Sequence, residues 1–227
     1  MKPTPGPRIK ICCISSVEEA QMAVEYGASA LGLVSAMPSG PGVISEEMIA
    51  AVAATIPPGV SSFLLTSKKD AASIISQQHQ CRTNTVQLVD SVPVHVYAEL
   101  RKAMPGIALV QVIHVNGEES VDAAKSMAGY VDALLLDSGN PALTVKELGG
   151  TGRTHNWATS RRIREAVNVP LFLAGGLHAG NVAQAIAAVS PFGIDLCSGV
   201  RTNGRLDRAK LAAFFNAVHT ASRSEIA

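Results

Sequence analysis

Two side chains that follow apolar runs are candidates for proton chemistry. Asp137 closes Ala133-Leu-Leu-Leu136, and Cys12 closes Arg8-Ile-Lys-Ile11. A carboxyl against apolar surroundings has a raised pKa and can act as a general acid. A thiol near a cation or a helix terminus is partly thiolate at neutral pH and can remove a proton. The plainer alternatives are a helix cap for Asp137 and a small core hydrophobe for Cys12. Cys13 beside it leaves open which sulfur faces inward. A second kind of chemistry is written in Gly149-Gly-Thr-Gly152, Ala174-Gly-Gly-Leu177 and Ser198-Gly-Val200. Glycine lets backbone amides approach an oxyanion with no Cβ in the way, and helix N-termini add partial positive charge. Three such stretches predict a phosphate cradle.

Groups scattered from position 12 to position 200 meet only if the chain keeps returning to one rim. Its pattern does so. Short β-rich runs over 8–13, 30–34, 60–65, 85–89, 108–113, 133–136, 171–174 and 193–197 alternate with helical spacing. The helices fall over 17–26, 45–55, 69–78, 94–103, 120–128, 159–166, 181–189 and 207–218. The strands are apolar with little alternation, as parallel strands buried on both faces require. The expected fold class is therefore α/β, a single (β/α)8 TIM barrel with parallel strands spanning 1–227, with 222–227 a flexible tail. A doubly wound sheet is the alternative. In such a barrel the strands' C-terminal ends carry the active site, and the loops after strands 7 and 8 often hold phosphate.

Composition narrows the function. The 227 residues are 47% hydrophobic and 16% charged, which excludes disorder. A net charge of +1 and 4% aromatics offer no field or stacking platform for nucleic acid, and no field for anionic lipid. No apolar run approaches the ~18 residues of a membrane span, and residues 1–11 do not read as a signal peptide. Cysteines at 12, 13, 81 and 197 form no CxxC pair, so neither zinc nor any other metal is expected. Reduced thiols in a cytoplasm are the simplest reading.

The motifs, in order, resemble the phosphoribosylanthranilate isomerase family. They are Lys10-Ile-Cys-Cys-Ile14, Asp132-Ala-Leu-Leu-Leu-Asp-Ser138, Gly149-Gly-Thr-Gly152 with Trp157, Leu173-Ala-Gly-Gly-Leu177 with Asn181-Val182, and Asp195-Leu-Cys-Ser-Gly-Val200 with Asp207. The resemblance runs from strand 1 to helix 8. It implies a cofactor-free Amadori rearrangement of N-(5-phosphoribosyl)anthranilate in tryptophan biosynthesis, by a monomer or homodimer. It assigns the general acid to Asp137, which would protonate the ring oxygen and open the sugar to an imine. It assigns the base to Cys12, which would take the C2′ proton and leave an enolamine. It sets the substrate phosphate on Gly150, Thr151, Gly152, Gly175, Gly176, Ser198 and Gly199.

The sequence also departs from that pattern. Cys13 replaces a glycine beside the base. Gly42 stands where the family has an arginine for the anthranilate carboxylate, and no Lys, Arg or His occurs from Ile11 to Ser67. Val89-Asp90 replaces His-Gly after strand 4, adding negative charge there, and Arg201 replaces a glutamate. Arg153 and Arg201 are the remaining candidates for the carboxylate, and His114 is a further group at a strand end. Two other readings stand beside the family reaction. One is a paralogue that isomerises or epimerises another phosphorylated sugar or amino-sugar. The other is a non-catalytic phosphate-ligand-binding barrel.

Overall fold

The computed structural model describes residues 6–139 and 152–224. Eight strands close into a parallel barrel in chain order: β1 (Arg8–Ile11), β2 (Ala30–Val34), β3 (Ser61–Thr66), β4 (Thr85–Leu88), β5 (Ala108–His114), β6 (Ala133–Asp137), β7 (Leu171–Leu173) and β8 (Gly193–Leu196). Closure comes from β8 pairing with β1, Lys10 opposite Asp195 and Ile11 opposite Leu196. Eight helices follow the strands: α1 (Val17–Glu25), α2 (Glu46–Ala53), α3 (Ala71–Cys81), α4 (Val94–Ala103), α5 (Glu119–Ala128), α6 (Trp157–Ala166), α7 (Val182–Val189) and α8 (Arg208–Ser224). The closed sheet excludes the doubly wound alternative.

Strand alternation divides the apolar residues between two cores. Ile9, Ile11, Leu134 and Leu136 join the cluster shared with the helices. Leu135, Val110, Val112, Phe63 and Phe172 join the cluster inside the barrel, where the two phenylalanines meet edge to face at 5.9 Å. Both faces of each strand are buried, so the runs read as continuous. Helix starts follow local chemistry: Ser16, Ser45 and Asp70 each accept from the backbone N–H three residues on.

Three boundaries differ from expectation. β1 stops at Ile11, two residues early, and Cys13 turns away with φ 61°. α8 runs on to Ser224 because no glycine or proline follows Val218. Ser222, expected in the tail, therefore lies in this helix with its hydroxyl on Val218 O, and residues 225–227 lie outside the described ones. A two-stranded hairpin, β9 (Arg201–Thr202) with β10 (Arg205–Leu206), precedes α8, turning at Asn203 and Gly204, both of positive φ. Among the described residues, no helix is long and apolar enough to cross a membrane.

Candidate active site

The C-terminal ends of the strands surround a cavity of about 680 Å³. From the β6–β8 side it is lined by Asp137, Gly152, Gly175, Gly176 and Ser198, and from β1 by Cys12 and Cys13. From the β2–β4 side come Met37, Ser39, Leu65 and Gln87. The structure thus brings the expected acid, the expected base and four of the expected phosphate residues to one space. Gly199 is not in the lining; it backs onto the Leu177 carbonyl. Gly150 and Thr151 lie outside the described residues.

Asp137 ends β6 with its carboxyl buried, and Oδ1 accepts the Ser138 N–H at 2.7 Å. Burial pushes its pKa up to about 6, helped by the nearby Asp195 carboxylate and opposed by the Ser138 N–H and by Lys10. A carboxyl in that range is protonated in a useful fraction of molecules near neutrality and can deliver its proton.

Residues two apart on a strand share a face, so Cys12 lies on the same face of the β1 segment as Lys10, which points into the barrel. Cys13 reaches the cavity by a different route, its left-handed backbone turning it to the mouth. Hydrogen bonding with Cys12 and Cys197, together with burial, pushes the Cys13 thiol well above its ordinary value. Cys13 is thereby kept as a thiol. Cys197 is drawn down by its hydrogen bond with Cys13 and by the Arg201 guanidinium, against its own burial.

Below the two thiols is a buried ion pair to which the sequence alone assigned no role. Lys10 Nζ is fully buried, 2.9 Å from Asp195 Oδ1 and 5.0 Å from the centre of the Phe63 ring. Burial alone would lower its pKa, but Asp195 and the neighbouring thiols raise it overall, so it stays an ammonium. It sits beside Cys12: a Cβ on Gly32 would lie 2.7 Å from Cys12 Sγ and 3.1 Å from Lys10 Nζ. The available signal was a pair of charged residues on strands otherwise apolar.

The phosphate side rests on a close backbone approach. Gly175 and Gly176 both have positive φ, and a Cβ on Gly176 would lie 2.8 Å from Thr154 N. The turn after β7 is therefore pressed against residues 152–154. Gly152 faces Ser198, whose hydroxyl lies 3.8 Å from where a Cβ on Gly152 would be.

The carboxylate candidates do not reach the cavity. Arg201 grips Glu19 at 2.9 and 3.1 Å and donates to the carbonyls of Cys12, Cys13 and Gly204 at 3.3, 2.5 and 3.0 Å. Its role is to tie the β1–α1 loop to the hairpin after β8. Arg153 is exposed, with its backbone against Gly175 and Gly176 on the phosphate side. Asp90 pairs with Lys69 at 2.9 Å and His114 bonds the Val89 carbonyl at 3.0 Å. Both border a separate hollow beside α5, so the charge expected from Asp90 does not face the main cavity.

Residues 9–217 match the family model described as N-(5′-phosphoribosyl)anthranilate isomerase. The chain belongs to the phosphoribosylanthranilate isomerase family. It is 37% identical over 209 residues to N-(5′-phosphoribosyl)anthranilate isomerase 2 of Methanosarcina mazei, covering 91% of this chain and 92% of that one. It is 36% identical to the Halobacterium salinarum isomerase, covering 91% and 93%. The crystal structure of the Thermotoga maritima isomerase superposes with a TM-score of 0.81 at 28% identity, covering 94% of this chain and 99% of the other. Another isomerase structure, in complex with reduced 1-(o-carboxyphenylamino)-1-deoxyribulose 5-phosphate, superposes at 0.78 with 26% identity and coverage of 94% and 99%. Within this isomerase family of tryptophan biosynthesis, Cys13 holds at φ 61° a position where the family pattern has glycine.

Proposed function

We propose that this chain isomerises N-(5-phosphoribosyl)anthranilate to its 1-deoxyribulose isomer, with Asp137 as the acid and Cys12 as the base. The observation that carries the reading is one cavity holding a buried carboxyl with a pKa of about 6, a cysteine beside a buried ammonium, and the glycine turns of the β6–β8 side. Asp137 donates its proton to the furanose ring oxygen as the C1′–O bond breaks, and the anilinic nitrogen lone pair forms the imine. The Cys12 thiolate then takes the C2′ proton, and its electron pair gives the enolamine. Tautomerisation to the ketone completes an isomerisation in which no atom is gained or lost.

The phosphate rests at Gly152, Gly175, Gly176 and Ser198, with Gly150, Thr151 and Gly199 completing the cradle. Backbone amides in glycine turns favour an anion there. The glycosidic carbon then lies between acid and base, and the aromatic ring extends toward β2–β4. Four free cysteines suit a cytoplasmic setting. The chain works as a monomer or homodimer; a Thermotoga maritima relative has been crystallised as monomers generated from a dimer.

The test is to generate phosphoribosylanthranilate in situ and follow the loss of its fluorescence on adding the purified protein. Loss at an enzymatic rate that disappears in Asp137→Asn is expected. A folded protein that leaves the fluorescence unchanged would overturn the proposal.

A further inference from the structure

The aglycone side of the cavity poses a problem in charge. Among the described residues no lysine or arginine lines it. Lys10 is committed to Asp195, and Arg201 to Glu19 and three carbonyls. A carboxylate brought there must find neutral donors.

One polar side chain on that side is waiting for a partner. Gln87 projects from β4 into the cavity lining, is 3% exposed, and its Oε1 has no hydrogen-bond partner. Its backbone is held in register between Leu65 and Val110, so the side chain is not free to leave. A buried amide with an unmade bond is costly, and such groups in cavities are the ones a ligand satisfies. An amide also has the right duality: its Nε2 offers two protons and its Oε1 accepts. An ortho-amino carboxylate presents the complement, an acceptor oxygen next to an N–H donor on adjacent ring carbons.

We propose that the Gln87 carboxamide is the specificity-determining group for the aglycone, donating from Nε2 to the anthranilate carboxylate and accepting the anilinic N–H at Oε1. The proposal rests on the isomerase reading above and adds the residue that recognises the acid in place of an arginine. The Met37 and Leu65 side chains beside it leave the aromatic ring an apolar bed. Withdrawing water from the pair strengthens both hydrogen bonds.

The test uses two ligands and two variants. The ligands are reduced 1-(o-carboxyphenylamino)-1-deoxyribulose 5-phosphate and the same compound lacking the carboxyl group. Calorimetric titration of the wild-type protein should show the carboxylated compound binding more tightly. Gln87→Glu should weaken the carboxylated ligand at least tenfold while changing the other less than threefold. Gln87→Met, close in shape and without charge, should bring the two affinities together. That convergence is a readout that general damage to the fold would not produce, since damage weakens both ligands alike. Equal weakening of both ligands, or no change in either variant while the wild type still discriminates, would overturn the role of Gln87 and leave the isomerase reading standing. A wild-type protein that binds neither ligand would overturn both.

Discussion

Gly42 is packed against Cys13 so closely that a Cβ at 42 would lie 2.9 Å from Cys13 Cα and 3.2 Å from its Sγ. The two departures from the family pattern nearest the base are therefore one steric unit. With glycine at position 13 there is room for a side chain at 42, and with cysteine there is not. Gly42 also has φ +78°, which a side chain adopts only under strain. Gly42→Arg therefore costs about 1–3 kcal/mol of stability as an overpacked site and does not improve KM. Adding Cys13→Gly should recover at least half of that loss. Urea denaturation of all four members of the cycle measures the coupling, and purely additive losses would show that the two sites do not meet.

Asp137→Asn separates acid catalysis from stability. Turnover should fall by about 10²-fold or more, the range for removing a general acid. Stability should move the other way. The folded-state pKa of about 6 lies above the ordinary 3.8, so the carboxyl's contribution is fully present below pH 4. It is lost as pH rises through 6, where the fold must bury a carboxylate. The asparagine variant should then be more stable than wild type at pH 8, by an amount on the order of 2 kcal/mol. The two proteins should converge near pH 4. Denaturant melts at both pH values decide it, and a constant difference would remove the buried ionisation as the cause.

The barrel was legible because burial on both strand faces writes unbroken apolar runs, as in Ala133-Leu-Leu-Leu136, with a glycine, serine or proline at most boundaries. Asp137 and Cys12 were legible because each follows such a run. What local sequence does not encode is pairing across the barrel. Lys10 and Asp195 lie 185 residues apart and meet only through the β1–β8 register. The same holds for Arg201, whose candidacy for the carboxylate ended with its bonds to Glu19, 182 residues away. Gln87 was hidden for another reason. An unmade hydrogen bond is a property of the folded cavity, and no spacing announces it.

Lys10→Met leaves Asp195 buried without its 2.9 Å partner, and breaking a buried pair on one side costs about 3–5 kcal/mol. The double variant Lys10→Met with Asp195→Leu removes both charges and should recover most of that stability. It should not recover activity, because the ammonium beside Cys12 is gone in both. Thermal melts and turnover on the same preparations make the comparison. Recovery of turnover in the double variant would show that Lys10 serves only to neutralise Asp195.

The two adjacent thiols make opposite predictions. Cys12 shares the inward face with Lys10 and is the proposed base, whereas Cys13 is held protonated by its hydrogen bonds and burial. Cys12→Ser replaces the thiol by a hydroxyl that is not ionised near neutrality, so kcat should fall about 10²-fold or more with little change in KM. Cys13→Ser removes no reacting group, and kcat should stay within about tenfold of wild type. Limited alkylation with iodoacetamide gives a second reading, since the thiolate is the reactive form. Mass spectrometry of the modified protein should find Cys12 labelled ahead of Cys13, with activity lost in step. Faster labelling of Cys13, together with a larger kcat loss in Cys13→Ser, would move the base by one residue.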